Sequence, residues 1–170
     1  MMNTRQPIEY TPIGVIHTPF QHPEGMPIQP SGAAGIRGSI ELDPEYREGL
    51  KDLDGFSHLI VIYHCHRSEG FDLVVTPFLD QQPHGVFATR APRRPNPIGL
   101  STVRLLKVDA NRLHIENVDM LDGTPVLDIK PAVPEFEPGT PRRLGWLEPS
   151  VTEARTRKSD SRFSSDKSDG

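Results

Sequence analysis

Apolar residues in this chain come in short alternating or continuous runs, cut apart by stretches rich in proline and glycine. Residues 11–17 read as a first strand, with Pro12 at its start, where a missing N–H is harmless. Residues 36–42 alternate apolar and polar and give a second strand. Asp43-Pro44-Glu45 has the order of an N-cap, a first-turn proline and an acidic first turn, which predicts a short helix through Leu50. Residues 57–66 predict the main strand, apolar on both faces at first and so suited to the middle of a sheet. On it Ile60, Ile62, His64 and His66 share one face, while Leu59, Val61, Tyr63 and Cys65 share the other. The strand thus delivers His66, then Arg67, to its exit end.

Residues 71–78 predict an edge strand ended by Pro77, and 80–84 a polar loop. Val86-Phe87-Ala88 read as the end of a buried strand and Leu100-Ser101-Thr102-Val103 as the start of the next. Residues 101–108 and 112–118 are two strands joined by the hairpin Asp109-Ala110-Asn111. Residues 119–125 form a turn in which Asp-Gly supplies the residue that tolerates positive φ. Val126, Leu127 and Ile129 begin a last strand, closed by Pro131 and Pro134. The sum is a mostly β chain, a small antiparallel β-barrel with one short helix and long proline-rich loops. Closure into a barrel would remove the exposed strand edges.

Composition sharpens this picture. The 170 residues predict one domain, and the 18 prolines suit loops and short strands better than long helices. Lys and Arg total 19 against 23 Asp and Glu, a net charge of -4, which argues against a bulk electrostatic grip on nucleic acid but permits a local basic patch. Cys65 is the single cysteine, so no internal disulfide forms and a reducing, cytoplasmic setting is expected, with no membrane span or signal peptide. Residues 18–35 make a long excursion in which four prolines forbid a helix, and Pro27-Ile28-Gln29-Pro30 is apolar enough to pack back on the body. Gly32, Gly35 and Gly38 lack the spacing and the strand–helix context of a dinucleotide loop. From Thr152 the composition turns to Ser, Asp, Arg and Lys, and the domain is expected over 8–149 with a mobile tail over 150–170.

The chemistry concentrates in residues 85–101, where Arg90, Arg93 and Arg94 are interleaved with Pro92, Pro95 and Pro97. Prolines stiffen such a connection, and guanidiniums on a stiff loop suit a planar anion or a phosphate. His64-Cys65-His66 invites a metal reading, but a third ligand would have to come from His17, His58, His84 or Glu41, and a histidine pair beside a pocket is the simpler reading. Cys65 is expected as buried packing, and Ser57 and Ser101 as strand and turn residues. Asp119 and Asp122 serve equally as a carboxylate pair or as turn formers.

Four stretches, 13–19, 53–58, 85–101 and 119–131, occur in this order in one known family. Over about residues 8–137 the chain resembles the TsaA-like, or TrmO, family of S-adenosylmethionine-dependent tRNA methyltransferases, formerly the YaeB-type proteins, with Val86 to Arg90 and Arg94 to Gly99 as its most specific motif. The resemblance implies a small homodimeric β-barrel that transfers a methyl group to N6 of N6-threonylcarbamoyladenosine, next to the anticodon of a threonine tRNA. It assigns cofactor contacts to Pro27, Ile28, Gln29, His66, Arg67, Arg90, Leu100, Met120, Leu121, Asp122 and Gly123. Arg90 or Arg67 would hold the cofactor carboxylate, and Asp122 with the turn backbone the ribose or adenine edge. His66 or Asp122 is the candidate base; Arg93, Arg94 and Asn96 would meet the tRNA; no metal is expected. Ile28 departs from the family, standing where many relatives carry Arg. Two other readings remain, a non-catalytic RNA-binding β-barrel and a metal-dependent hydrolase built on His64 and His66.

Overall fold

The computed structural model describes residues 6–140 and 143–163. Six antiparallel strands close into a barrel: β1 (Gly14–His17), β2 (Arg37–Leu42), β3 (His58–His64), β6 (Ile98–Asp109), β7 (Arg112–Glu116) and β8 (Thr124–Pro131), in the order β1-β2-β7-β6-β3-β8 with β8 pairing back onto β1. Two short strands, β4 (Val74–Val75) and β5 (His84–Gly85), form a separate ribbon. Closure leaves none of the six barrel strands as a free edge.

Alternation places the core. Ile16, Ile40, Leu59, Val61, Val103, Leu113, Ile115 and Val126 point inward and are all but inaccessible, while Val15, Leu100 and Leu106 on the same strands face out. Val118 and Met120, from the β7–β8 connection, are buried in the same core. Burying this set supplies the main drive to fold, at roughly 25 cal/mol per Å² of apolar surface removed from water.

The predicted strands 11–17, 36–42, 57–66 and 112–118 appear in trimmed form. Strand β7 ends because Asn117 takes a left-handed φ of 68°, which turns the chain and lets its carbonyl side chain accept from Gly35 N at 3.2 Å. The short helix is a 3-10 turn, Pro44–Leu50, and Asp43 precedes it without a side-chain capping bond. Residues 71–78 hold only the two-residue β4. The expected strand end at Val86–Ala88 is a 3-10 turn instead: Val86 is buried, and Thr89 closes the turn on the Val86 carbonyl through both its N–H and its hydroxyl. Strand β3 stops at His64, so Cys65 and His66 lie past it in the following turn, where Cys65 N donates to Pro97 O at 2.7 Å. The segment from 150, expected as a mobile tail, packs on the 18–35 loop and the small ribbon as far as Phe163; residues 164–170 lie outside the described residues. Among the described residues no helix is long and apolar enough to cross a membrane.

Candidate functional site

The antiparallel register gives the two barrel rims different loops. His17 pairs with Ser39, His64 with Ile98, Arg37 with Glu116, and Ile16 with Thr124. The ends so paired bring the 18–36, 65–97 and 117–123 connections out at one rim. The opposite rim carries 43–57 and the β6–β7 hairpin. All the sequence-predicted site residues except Leu100 sit in the three connections of the first rim, and Leu100 lies two residues into β6 beside it.

Two of these connections meet where Arg90 Nη1 donates to Gln29 Oε1 at 3.0 Å. Arg90 is exposed, so a carboxylate could reach its guanidinium from solvent. Arg94 turns inward and donates through Nη1 to Thr89 O and Ala91 O at 3.1 and 3.3 Å, bracing its own loop. Arg93 Nε stands 3.2 Å from Asp72 Oδ2, an ion pair without the alignment of a hydrogen bond. Asn96 is exposed, and its carbonyl accepts from Ile98 N as β6 begins.

The β7–β8 turn is held to the barrel wall by its backbone. Gly123, at φ 77°, donates to Ile16 O at 2.9 Å, and Asp122 N to Phe20 O at 2.8 Å. The Asp122 carboxylate accepts from Thr18 N at 3.1 Å and stands 3.6 Å from His17 Nδ1. The Thr18 amide, above all, holds Asp122 below the usual carboxylate range. A Cβ built at Gly123 would lie 4.0 Å from His66 Nε2, ordinary contact distance, which places the imidazole beside the turn. Burial, then the charges of Arg67 and His64, push His66 below its ordinary value, while Asp122 acts the other way. The imidazole is therefore neutral near pH 7 and able to accept a proton. Met120 is fully in the core, so only its main chain is within reach of a ligand, and its carbonyl already accepts from Thr18 Oγ1 at 2.9 Å.

Asp119 and Asp122 are not a pair: they have separate partners. Ser101 Oγ donates to Asp119 Oδ1 at 2.6 Å, and Tyr63 OH lies 3.1 Å from Ser101 Oγ. With the serine proton committed to the carboxylate, the tyrosine must donate to the serine. Burial pushes the Asp119 carboxyl up to about 6, against the pull of Ser101 and the Arg90 charge, and also pushes the Tyr63 hydroxyl up. Burial likewise raises the Cys65 thiol to about 11, so it is no thiolate nucleophile. Sequence reasoning passed over this Tyr63–Ser101–Asp119 chain. The signal available was Tyr63 on the same face as the core residues Leu59 and Val61, where a hydroxyl needs a partner.

His64 and His66 do not share a strand face as expected, because β3 ends between them. Among the described residues no group of three or more His, Cys, Asp or Glu is placed to hold a metal ion. A cleft lined by Asp72, Asp80 and Arg162, and a groove lined by His17, Arg37 and Arg112, are separate depressions, and neither is lined by Arg90, His66 or Asp122.

Residues 15–138 match the family described as the tRNA-methyltransferase O N-terminal domain. A Pyrococcus abyssi protein named "Probable S-adenosyl-L-methionine-binding protein" is 54% identical over 154 residues, covering 91% of this chain and 84% of its own. The mouse protein named tRNA (adenine(37)-N6)-methyltransferase is 38% identical over 135 residues, which are 74% of this chain but 31% of that one. A crystal structure of TrmO from Pseudomonas aeruginosa superposes with a TM-score of 0.69 at 38% identity, over 83% of this chain and 63% of that one. The chain thus spans most of the Pyrococcus relative and a part of the longer ones, and by sequence and barrel alike it belongs to the TrmO N-terminal domain family.

Proposed function

We infer that this protein is an S-adenosylmethionine-dependent tRNA methyltransferase that methylates an adenosine at N6, with N6-threonylcarbamoyladenosine beside the anticodon as its substrate. The observation that carries the reading is the meeting of three segments at one barrel rim: Gln29 bonded to Arg90, and His66 beside the Gly123 turn. The relatives' names, S-adenosylmethionine binding for the archaeal proteins and tRNA adenine methylation for the mouse protein, support the same direction.

The donor set fits the cofactor chemically. Its amino-acid carboxylate suits Arg90 or Arg67, its adenine and ribose suit the main chain of 120–123 with Asp122, and its apolar parts suit Leu100, Pro27 and Ile28. The bound cofactor supplies a methyl group already on a good leaving group. The residues therefore need mainly to align the acceptor N6 in line with it. His66, neutral near pH 7, is the group that takes the N6 proton if a base is used. Arg93 and Asn96 would meet the anticodon-loop phosphates or the threonyl carboxylate, on a loop that Arg94 braces from within. A homodimer in the cytoplasm belongs to the same reading, with the small ribbon at the interface.

Calorimetry with S-adenosylmethionine tests the first half. The parent should bind, and Arg90→Ala should lose about tenfold to a hundredfold in affinity, as removal of one charge-assisted carboxylate contact does. Arg93→Ala should weaken tRNA more than cofactor. A parent that releases no heat would favour the non-catalytic RNA-binding barrel. Mass spectrometry of tRNA nucleosides from cells with and without the gene tests the second half, and identical profiles would remove the substrate assignment.

A further inference from the structure

The cofactor loops are not held by the barrel alone. Residues 143–163, beyond the matched family region, touch both. On one side Lys158 bridges to Pro27, Gly25 N donates to Ser159 O at 2.8 Å, and Ser159 N donates to Met26 O at 2.9 Å. The Ser159 hydroxyl accepts from Met26 N at 3.1 Å and donates to Pro23 O. The buried Ala154 belongs to a turn whose backbone runs so close to Gly32 that a Cβ there would stand 3.1 Å from the Ala154 carbonyl oxygen. These contacts end two residues from Gln29.

On the other side Arg162 Nη1 donates to Pro77 O at 2.7 Å, while Asp160 holds the same guanidinium through Nε and Nη2. The guanidinium lies over Phe78, 5.1 Å from its centroid, and Phe163 packs on Val75, Val86 and Ala91. Trp146 stacks on His84 at 4.5 Å and donates through Nε1 to Ala88 O at 2.8 Å. That last bond falls two residues from Arg90. The two loops then meet each other at Gln29 and Arg90. Strap, early loop and arginine loop form a closed ring of contacts.

We propose that residues 143–163 are a strap that sets the spacing of the two cofactor loops, with Ser159, Arg162 and Trp146 as its positioning residues. The inference rests on the proposed cofactor site. Both ends of the 18–35 loop are tied to the barrel, through Thr18 and Phe20 at one end and Gly35 at the other. Without the strap, however, its middle would meet the arginine loop through the Gln29–Arg90 bond, and binding would then have to order it. Ordering on binding lowers affinity without altering the chemical step, so the effect belongs in cofactor affinity and not in kcat.

Full-chain variants test this: Ser159→Ala, the double variant Ser159→Ala/Arg162→Ala, and Ser159→Thr, which keeps the hydroxyl. The double variant should bind S-adenosylmethionine about tenfold more weakly with kcat at saturating cofactor nearly unchanged. Its amides over 23–33 should exchange faster, and the single tryptophan, Trp146, should shift its emission to the red as the strap loosens. Ser159→Thr should restore affinity relative to Ser159→Ala. Affinity and exchange within twofold of the parent would overturn the strap alone. A fall in kcat with affinity unchanged, or no rescue by threonine, would overturn the positioning role. A parent that binds no S-adenosylmethionine would overturn the cofactor site and, with it, the strap's part in it.

Discussion

Asp119 carries a carboxyl that titrates at about 6, well above the roughly 3.9 of a free aspartate, because burial disfavours its charge more than Ser101 and Arg90 favour it. Between about pH 4 and 6 the folded chain therefore holds a proton there that the unfolded chain has released, and stability falls as pH rises through that window. Asp119→Asn keeps a hydrogen-bond partner for Ser101 and removes the titration. Its stability relative to the parent should rise by on the order of 2 kcal/mol between pH 4 and 7, as read by urea denaturation at both pH values. A constant difference would mean that Asp119 titrates normally. Nearby, Gly99 faces Tyr63 across β3 and β6, and the tyrosine ring occupies the space a Cβ would need. The ring takes the space above the glycine, and its hydroxyl meets Ser101, one link in the buried chain. Both facts follow from which side chain meets which across the sheet, and alternation along a single strand does not contain that pairing.

At the scale of elements, the β6–β7 hairpin shows how much local chemistry was legible. Asp109-Ala110-Asn111 forms the expected hairpin, with Asp109 paired to Arg112. Ala110, however, sits at φ 54°, a left-handed conformation that favours glycine. Ala110→Gly should stabilise the protein by about 0.5–1 kcal/mol, measured as a higher denaturation midpoint at unchanged m-value. An unchanged or lower midpoint would show that the gain in unfolded-chain freedom cancels the relief. The strand β3 was legible from its apolar run, but its end was not: a bulge between Ile62 and Tyr63 shifts the register against β8, and pairing stops at His64. That end decides where His66 and Arg67 stand. The Val86–Ala88 stretch failed for the opposite reason, since its apolar residues looked like a strand while only Val86 has core to enter and Phe87 is 76% exposed.

For the whole molecule, the small ribbon and the turn after it leave Phe71, Leu73, Val74 and Phe87 in solvent, each more than half exposed. Under the proposed homodimer these residues are the natural contact, because the barrel wall itself is closed by hydrogen bonds. Analytical ultracentrifugation should then find a dimer for the parent and a monomer for Leu73→Asp, whose charge is costly to desolvate at an interface. A monomeric parent would remove the homodimer from the reading.

The sequence by itself determined the class of the fold, the boundaries of most strands to within a few residues, the stiff arginine-bearing loop and the Asp-Gly turn. Each of these depends on local causes: alternation, proline geometry, and the φ that glycine permits. Only the tertiary structure decided that Asp119 joins Ser101 rather than Asp122, that Gln29 meets Arg90, and that residues 143–163 clasp both loops. Those are contacts between residues from 18 to 136 positions apart, set by barrel closure and register, and no short window of sequence holds them.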